Sequence, residues 1–245
     1  MTKADPLAAS AQPPIHDFDP PDINEGHPEM YWPGVAATVL SCAAYALPFV
    51  VSFPLAPTIQ IIALGVLTAV GYGIANDQLA CRQCIHYFTV GHTPFHRRLL
   101  ATENPTVNGI VWGIHATWRE GLIAGVGLAL AAQASNLVAI SALQLTPFAI
   151  ALDLGVCLLS QWKAAEKEHE WKAPERRAIL DRRFQKVIGP ERGYHPVDLQ
   201  RIPEQQRAAY LGVGARNAAS YVFMPLGGLL MAIGTVAIRF FSTLI

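Results

Sequence analysis

Residues 58–75 read T-I-Q-I-I-A-L-G-V-L-T-A-V-G-Y-G-I-A, without a single charge, and residues 76–89 continue as N-D-Q-L-A-C-R-Q-C-I-H-Y-F-T. As a helix the first half nearly crosses a bilayer core, since roughly 20 apolar residues span about 30 Å. The second half breaks that pattern and gathers reactive side chains. Asp77, Cys81, Cys84, His86, His92 and His96 all fall between residues 77 and 96. A spanning run that ends in such a cluster sets the cluster at a membrane face. The expected fold class is therefore all-α: a polytopic bundle of about five transmembrane helices with a charged, helical cytoplasmic segment.

The flanking sequence repeats the pattern. Upstream, Gly34–Phe53 is also charge-free, with Trp32 at its start as an interface anchor. The short S-F-P-L-A-P connection makes the first two runs an antiparallel hairpin, and Pro48 is expected to kink the first helix near its far end. Downstream, the turn-rich T-E-N-P-T-V-N stretch precedes a third helix over Val111–Gln133. Gly121, Gly125 and nearby small residues form a stripe on it that lets another helix approach closely. A fourth helix runs from Ala142 to Trp162 and a fifth apolar run from Ala218 to Phe241. The domains expected are a tail (1–31), a four-span unit (32–162) with an interfacial segment at 77–110, a charged segment (163–216) and a last span (217–245).

Composition and charge agree with this division. The chain is 52% hydrophobic and 15% charged, well below the roughly 25% charge of soluble domains. Zero formal net charge argues against a nucleic-acid partner, which would call for a basic excess. The N-terminal stretch holds six acids and many prolines, a composition that cannot bury a core, and it lacks the basic and apolar regions of a secretory signal. Five spans put Lys3, Arg82, Arg97, Arg98 and the twelve basic residues of Lys163–Arg216 on one side; Arg119 and Arg239 lie within spans. By the positive-inside rule that side, with the N-terminus, faces the cytoplasm. Membrane lipid and other membrane subunits are the partners this implies. The basic block is either a lipid head-group contact or a solvated helix diluted by its own acids.

Three groups of residues could carry chemistry. Cys81, Cys84, His92 and His96 are spaced C-x2-C-x7-H-x3-H, which offers four ligands for zinc or iron in a reducing compartment, although the gap of seven is shorter than in a finger. The plainer alternative is that the thiols pack and the histidines bond at a wet interface. A redox dithiol helped by Arg82 is a further option, and Ile85 excludes haem attachment. Arg119 and Asp153 each lie seven or eight residues into a span and are expected to form an intramembrane ion pair, with His115 and Glu120 nearby and Asp77 above. That pair either locks two helices or serves a proton or anion path or an acid–base site. Asp77, His92, His115 and Glu120 are the candidate catalytic groups. Tyr87, Phe88, Trp112, Trp118 and Trp162 read as an aromatic belt.

D-Q (77–78), Y-F-T-V-G-H (87–92), W-G (112–113), A-T-W (116–118) and A-A-S-Y (218–221) resemble a widespread family of uncharacterised bacterial multi-pass membrane proteins. That family's pattern is a D-Q closing one span, an E-Y-F-T-x-G-H stretch, then W-G-x-x-A-T-W. The resemblance covers roughly residues 65–130 and part of the last span. Here His86 stands in place of Glu, and the C-x-x-C is not part of the pattern. The resemblance implies a bacterial inner-membrane protein and turns attention to Asp77, Gln78, His92 and Trp118; it carries no assigned activity. A non-catalytic accessory or assembly component is the leading expectation. A metal-dependent membrane enzyme using Asp77 and His92 with His86, Cys81 and Cys84 is the alternative. A small transporter comes third, since no internal repeat supplies the construction common in secondary transporters.

Overall fold

Largely apolar runs form the long helices, and prolines mark several of their ends. The computed structural model describes residues 32–51, 55–89, 102–133, 137–177 and 202–244. The acidic tail, His92, His96 and the G-P-E-R-G-Y-H-P loop lie outside the described residues. In order, the elements are α1 (Trp32–Ala46) with a 3-10 turn (Leu47–Phe49), α2 (Ala56–Gln83), α3 (His86–Thr89), α4 (Pro105–Gln133), α5 (Ala142–Lys172), a 3-10 turn (Glu204–Gln206) and α6 (Arg207–Thr243). Among the described residues no strand occurs. The fold is all-α.

Local chemistry explains the boundaries. Pro48 does not kink α1: the α-helix ends at Ala46 and Pro48 lies in the 3-10 turn that follows, because proline has no N–H to continue the ladder. Pro57 in the first turn of α2 costs nothing, since that N–H is free in any helix. Asn104 caps α4 through Oδ1, which accepts from Thr106 N at 2.9 Å and Val107 N at 3.2 Å. Ser141 and Gln144 form a capping box at the start of α5.

Four helical stretches are long and apolar enough to cross a membrane: Trp32–Phe49, Ala56–Gln83, Ala142–Lys172 and Glu204–Thr243. The third of the five expected spans does form a helix, α4, but Arg119 and Glu120 at its middle keep it out of that set on composition. Packing sets its course instead. A Cβ on Gly125 would meet Ile62 O at 2.6 Å, one on Gly121 would meet Gly65 O and the Ala69 Cβ at 2.7 Å, one on Gly113 would run into the Ile74 backbone, and one on Gly109 would meet Gln78 Cα at 2.9 Å. These contacts run α4 antiparallel to α2 along nearly all its length. Gly109, Gly113, Thr117, Gly121 and Gly125 recur every fourth residue, against Gly65, Ala69 and Gly73 on α2. Lipid tails are as apolar as leucine, so close backbone contact of this kind is what binds helices in a bilayer.

Around α2 stand α1, α4, α5 and α6. One apolar cluster (Ile61, Leu64, Leu128, Ala129, Ala132, Ala142 and Leu145) fills the end away from the charged segment. A second (Ala80, Cys81, Cys84, Phe88, Trp112, Ile202, Tyr210 and Val213) fills the basic end. Outward, α5 shows Leu143, Phe148, Leu154 and Leu158, and α6 shows Val222, Leu229, Leu230 and Ile233, all exposed. Such a surface fits a lipid environment. One arginine departs from its expected place. Arg216, counted with the solvated charged segment, lies inside α6 and is 2% exposed. Arg239 closes the far end, donating to Ala131 O at 2.6 Å, Val138 O at 2.8 Å and Leu137 O at 3.1 Å. It thereby satisfies one carbonyl that the last turn of α4 leaves open and two in the connection to α5.

Candidate functional site

Between the two apolar clusters, α2, α5 and α6 bring polar side chains together. Asp77 and Asn76 lie one helical turn after Tyr72, on the face of α2 turned inward, and are 6% and 4% exposed. Asn76 Nδ2 donates to Asp77 Oδ1 and to Asn217 Oδ1, each at 3.1 Å. The Tyr72 hydroxyl bonds to Ser220 Oγ and, at 3.4 Å, to Ser160 Oγ; the two serines are 3.2 Å apart. Ser220 also donates to Arg216 O at 3.0 Å. Arg216 donates through Nη2 to Gln161 Oε1, and its guanidinium lies within electrostatic reach of Asp77 and Glu168. Toward the basic end, Gln83 donates to Glu168. Gly212 makes room there, since a Cβ on it would sit 2.8 Å from Glu168 Oε1.

Four atoms of this cluster meet no hydrogen-bond partner among the described residues: Arg216 Nε, Arg216 Nη1, Asn76 Oδ1 and Gln83 Oε1. Two are donors and two acceptors, so polar molecules as small as water would complement them. The arrangement holds a carboxylate and a guanidinium in apolar surroundings and ties three helices together. Such intramembrane charges normally face the bundle interior, and these do.

Of the sequence candidates among the described residues, only Asp77 belongs to this cluster. The ion pair expected between Arg119 and Asp153 is not formed: α4 and α5 both pack on α2 and scarcely touch each other. Arg119 is exposed, with its guanidinium 5.2 Å from the Trp118 ring. Asp153 is half-buried on α5, and Glu120 is exposed. Among the described residues the buried charges are instead Asp77 on α2 with Arg216 and Arg239 on α6. His115 packs edge-on against Trp112 at 6.1 Å, away from Asp77's polar partners.

Cys81 and Cys84 are 2% and 3% exposed within the apolar cluster at the basic end. All four cysteines are free thiols. Burial pushes the Cys84 thiol up, against a smaller pull from the Tyr87 and His86 backbone N–H groups, so it stays protonated and is a poor nucleophile. His86 opens α3, and its buried Nδ1 has no hydrogen-bond partner among the described residues. Among those residues no three of His, Cys, Asp and Glu converge as a metal site; His92 and His96 lie outside them. The expected aromatic belt is in part an interior cluster. Phe88 and Trp112 are buried with their ring centroids 5.9 Å apart, and Tyr87 lies tilted against Tyr210 at 5.4 Å. Trp162 is exposed, with Lys163 4.4 Å from its ring.

Sequence reasoning misses Arg216, Tyr72, Ser160, Gln161, Asn217 and Ser220. The signal is present: Tyr72 and Asn76, and Arg216 and Ser220, are polar residues four apart in helices that are otherwise apolar. Comparison with protein-family models, with curated proteins and with solved structures finds no match to this chain.

Proposed function

We propose that the chain is a multi-pass protein of a bacterial inner membrane, with its N-terminus and charged segment in the cytoplasm, and that it acts as a non-catalytic accessory or assembly component. One observation carries this reading. The interior polar side chains bond mainly to one another, as in the Tyr72–Ser160–Ser220 trio and the Asn76–Asn217 and Gln83–Glu168 bonds, rather than converging on a cavity. Two shallow surface hollows lie elsewhere, one lined by Ala232, Val236 and Phe240 and the other by Trp171, Arg177 and Glu204. A hydrogen-bonded interior of this kind serves to fix helix register.

The competing reading is a metal-dependent enzyme using Asp77 and His92 with His86, Cys81 and Cys84. It draws on the unpartnered Nδ1 of His86, a ligand type suited to zinc or iron. Metal analysis of the purified full chain separates the two. The proposal expects substoichiometric zinc and iron, unchanged in His92→Ala. One metal per chain, lost in that variant, would replace it with the enzyme reading.

A further inference from the structure

The outer face of α4 carries Arg119 and Glu120 side by side, both exposed. Gly121 seats against Gly65, Val66 and Ala69, and Thr117 against Gly73, so the two charges stand abreast of α2 near Ala69. That level is within about 5 Å of the centre of the charge-free run at residues 58–75, at ~1.5 Å of rise per residue. Among the described residues Arg119 reaches only the neighbouring Trp118 ring, and Glu120 has no ion-pair or hydrogen-bond partner. Charges at such a depth ordinarily face a bundle interior and pair. Here the interior is on the other side of α4, where Gly121, Gly125, Leu128 and Ala132 are buried.

Whatever covers this face must bring an acid to Arg119 and a cation to Glu120 at one depth. The same face of a second copy does both. A two-fold axis normal to the membrane preserves depth and makes the patch its own complement, Arg119 of each copy meeting Glu120 of the other. Beyond the charges, Ile123 is 74% exposed and a Cβ on Gly127 would meet nothing within 4 Å. The face is therefore open and lets a helix come close. Asp153 offers no equal match, because it lies between the buried Ala149 and Val156 on α5. We propose that the outer face of α4 is the interface of a two-fold dimer of this chain, held by reciprocal Arg119–Glu120 pairs. The dimer does not depend on the accessory reading: an enzyme could pair in the same way, and a monomeric chain would remove the interface while leaving the outcome of the metal assay unaffected.

Energy transfer between donor- and acceptor-labelled copies of the full chain in lipid vesicles, over a range of protein-to-lipid ratios, tests this. Arg119→Glu and Glu120→Arg each set like charges together and should weaken self-association at least tenfold. The swapped double variant R119E/E120R restores the complement and should return to within about threefold of the unaltered chain. Circular dichroism and thermal midpoints in detergent report whether each variant folds. Should the reversals fail to fold, the neutral R119Q/E120Q variant takes their place, again with a tenfold loss expected. The proposal is overturned if the unaltered chain is monomeric at every ratio, if the swap does no better than the single reversals, or if the neutral variant dimerises as before.

Discussion

Gly71 and Gly73 lie two residues apart on α2, and replacing each with alanine separates helix propensity from helix packing. In both cases the helix gains the same preference, worth up to about 1 kcal/mol. A Cβ on Gly71 meets nothing within 4 Å, whereas one on Gly73 would fall 2.5 Å from Gly113 O and 2.7 Å from the Thr117 side chain. The obstacle at Gly73 is backbone, so the helices themselves must part. Restoring ordinary contact near 3.5 Å opens the seam by about 1 Å, and a gap of that size forfeits a quarter to a half of each dispersion contact it reaches. Overpacking a close-packed site costs about 1–3 kcal/mol. After the full propensity gain, Gly73→Ala should still destabilise, by up to about 2 kcal/mol, and Gly71→Ala should be neutral or slightly stabilising. Thermal unfolding in one detergent, followed by circular dichroism, reads both. Equal effects at the two positions would refute the close α2–α4 seam.

Asp77→Asn and Arg216→Gln should each lower the thermal midpoint, and the double variant should lose less than the sum. The coupling should be about 1 kcal/mol or more, as for neighbours in one buried network, and additive losses would separate the two charges. Arg239→Met strips three carbonyls of their donor and should cost about 2–4 kcal/mol. Arg239→Lys should recover part of that, and equal stability of both variants with the unaltered chain would deny Arg239 its closing role.

Much of the fold was legible because lipid imposes a coarse demand. Two of the four membrane-length stretches follow the charge-free runs around Gly34 and Thr58, and the other two contain the Ala142 and Ala218 runs. The seam at Gly121 and Gly125 was legible for a similar reason, since small residues four apart share one helix face. The site was less so. Arg119 and Asp153 fall at matching depths, but depth does not say which helices are neighbours, and α4 and α5 lie apart. Arg216 closes a run of charged residues and so reads as solvated, while packing against α2 and α5 turns it inward. Asp77 stands out because it ends an apolar run; its partners are serines, a tyrosine and amides, which become a cluster only once three helices meet.

If α4 crosses beside α2 despite Arg119 and Glu120, the proposed orientation puts the loop before α5 outside the cell and the charged end of α5 in the cytoplasm. Single cysteines at Ser141 and Glu166, labelled in intact spheroplasts by a membrane-impermeant maleimide with the unsubstituted chain as blank, read this out. Ser141→Cys should be labelled from outside, and Glu166→Cys only after permeabilisation. Labelling of Glu166→Cys in intact spheroplasts, with Ser141→Cys protected, would mean that α4 does not cross.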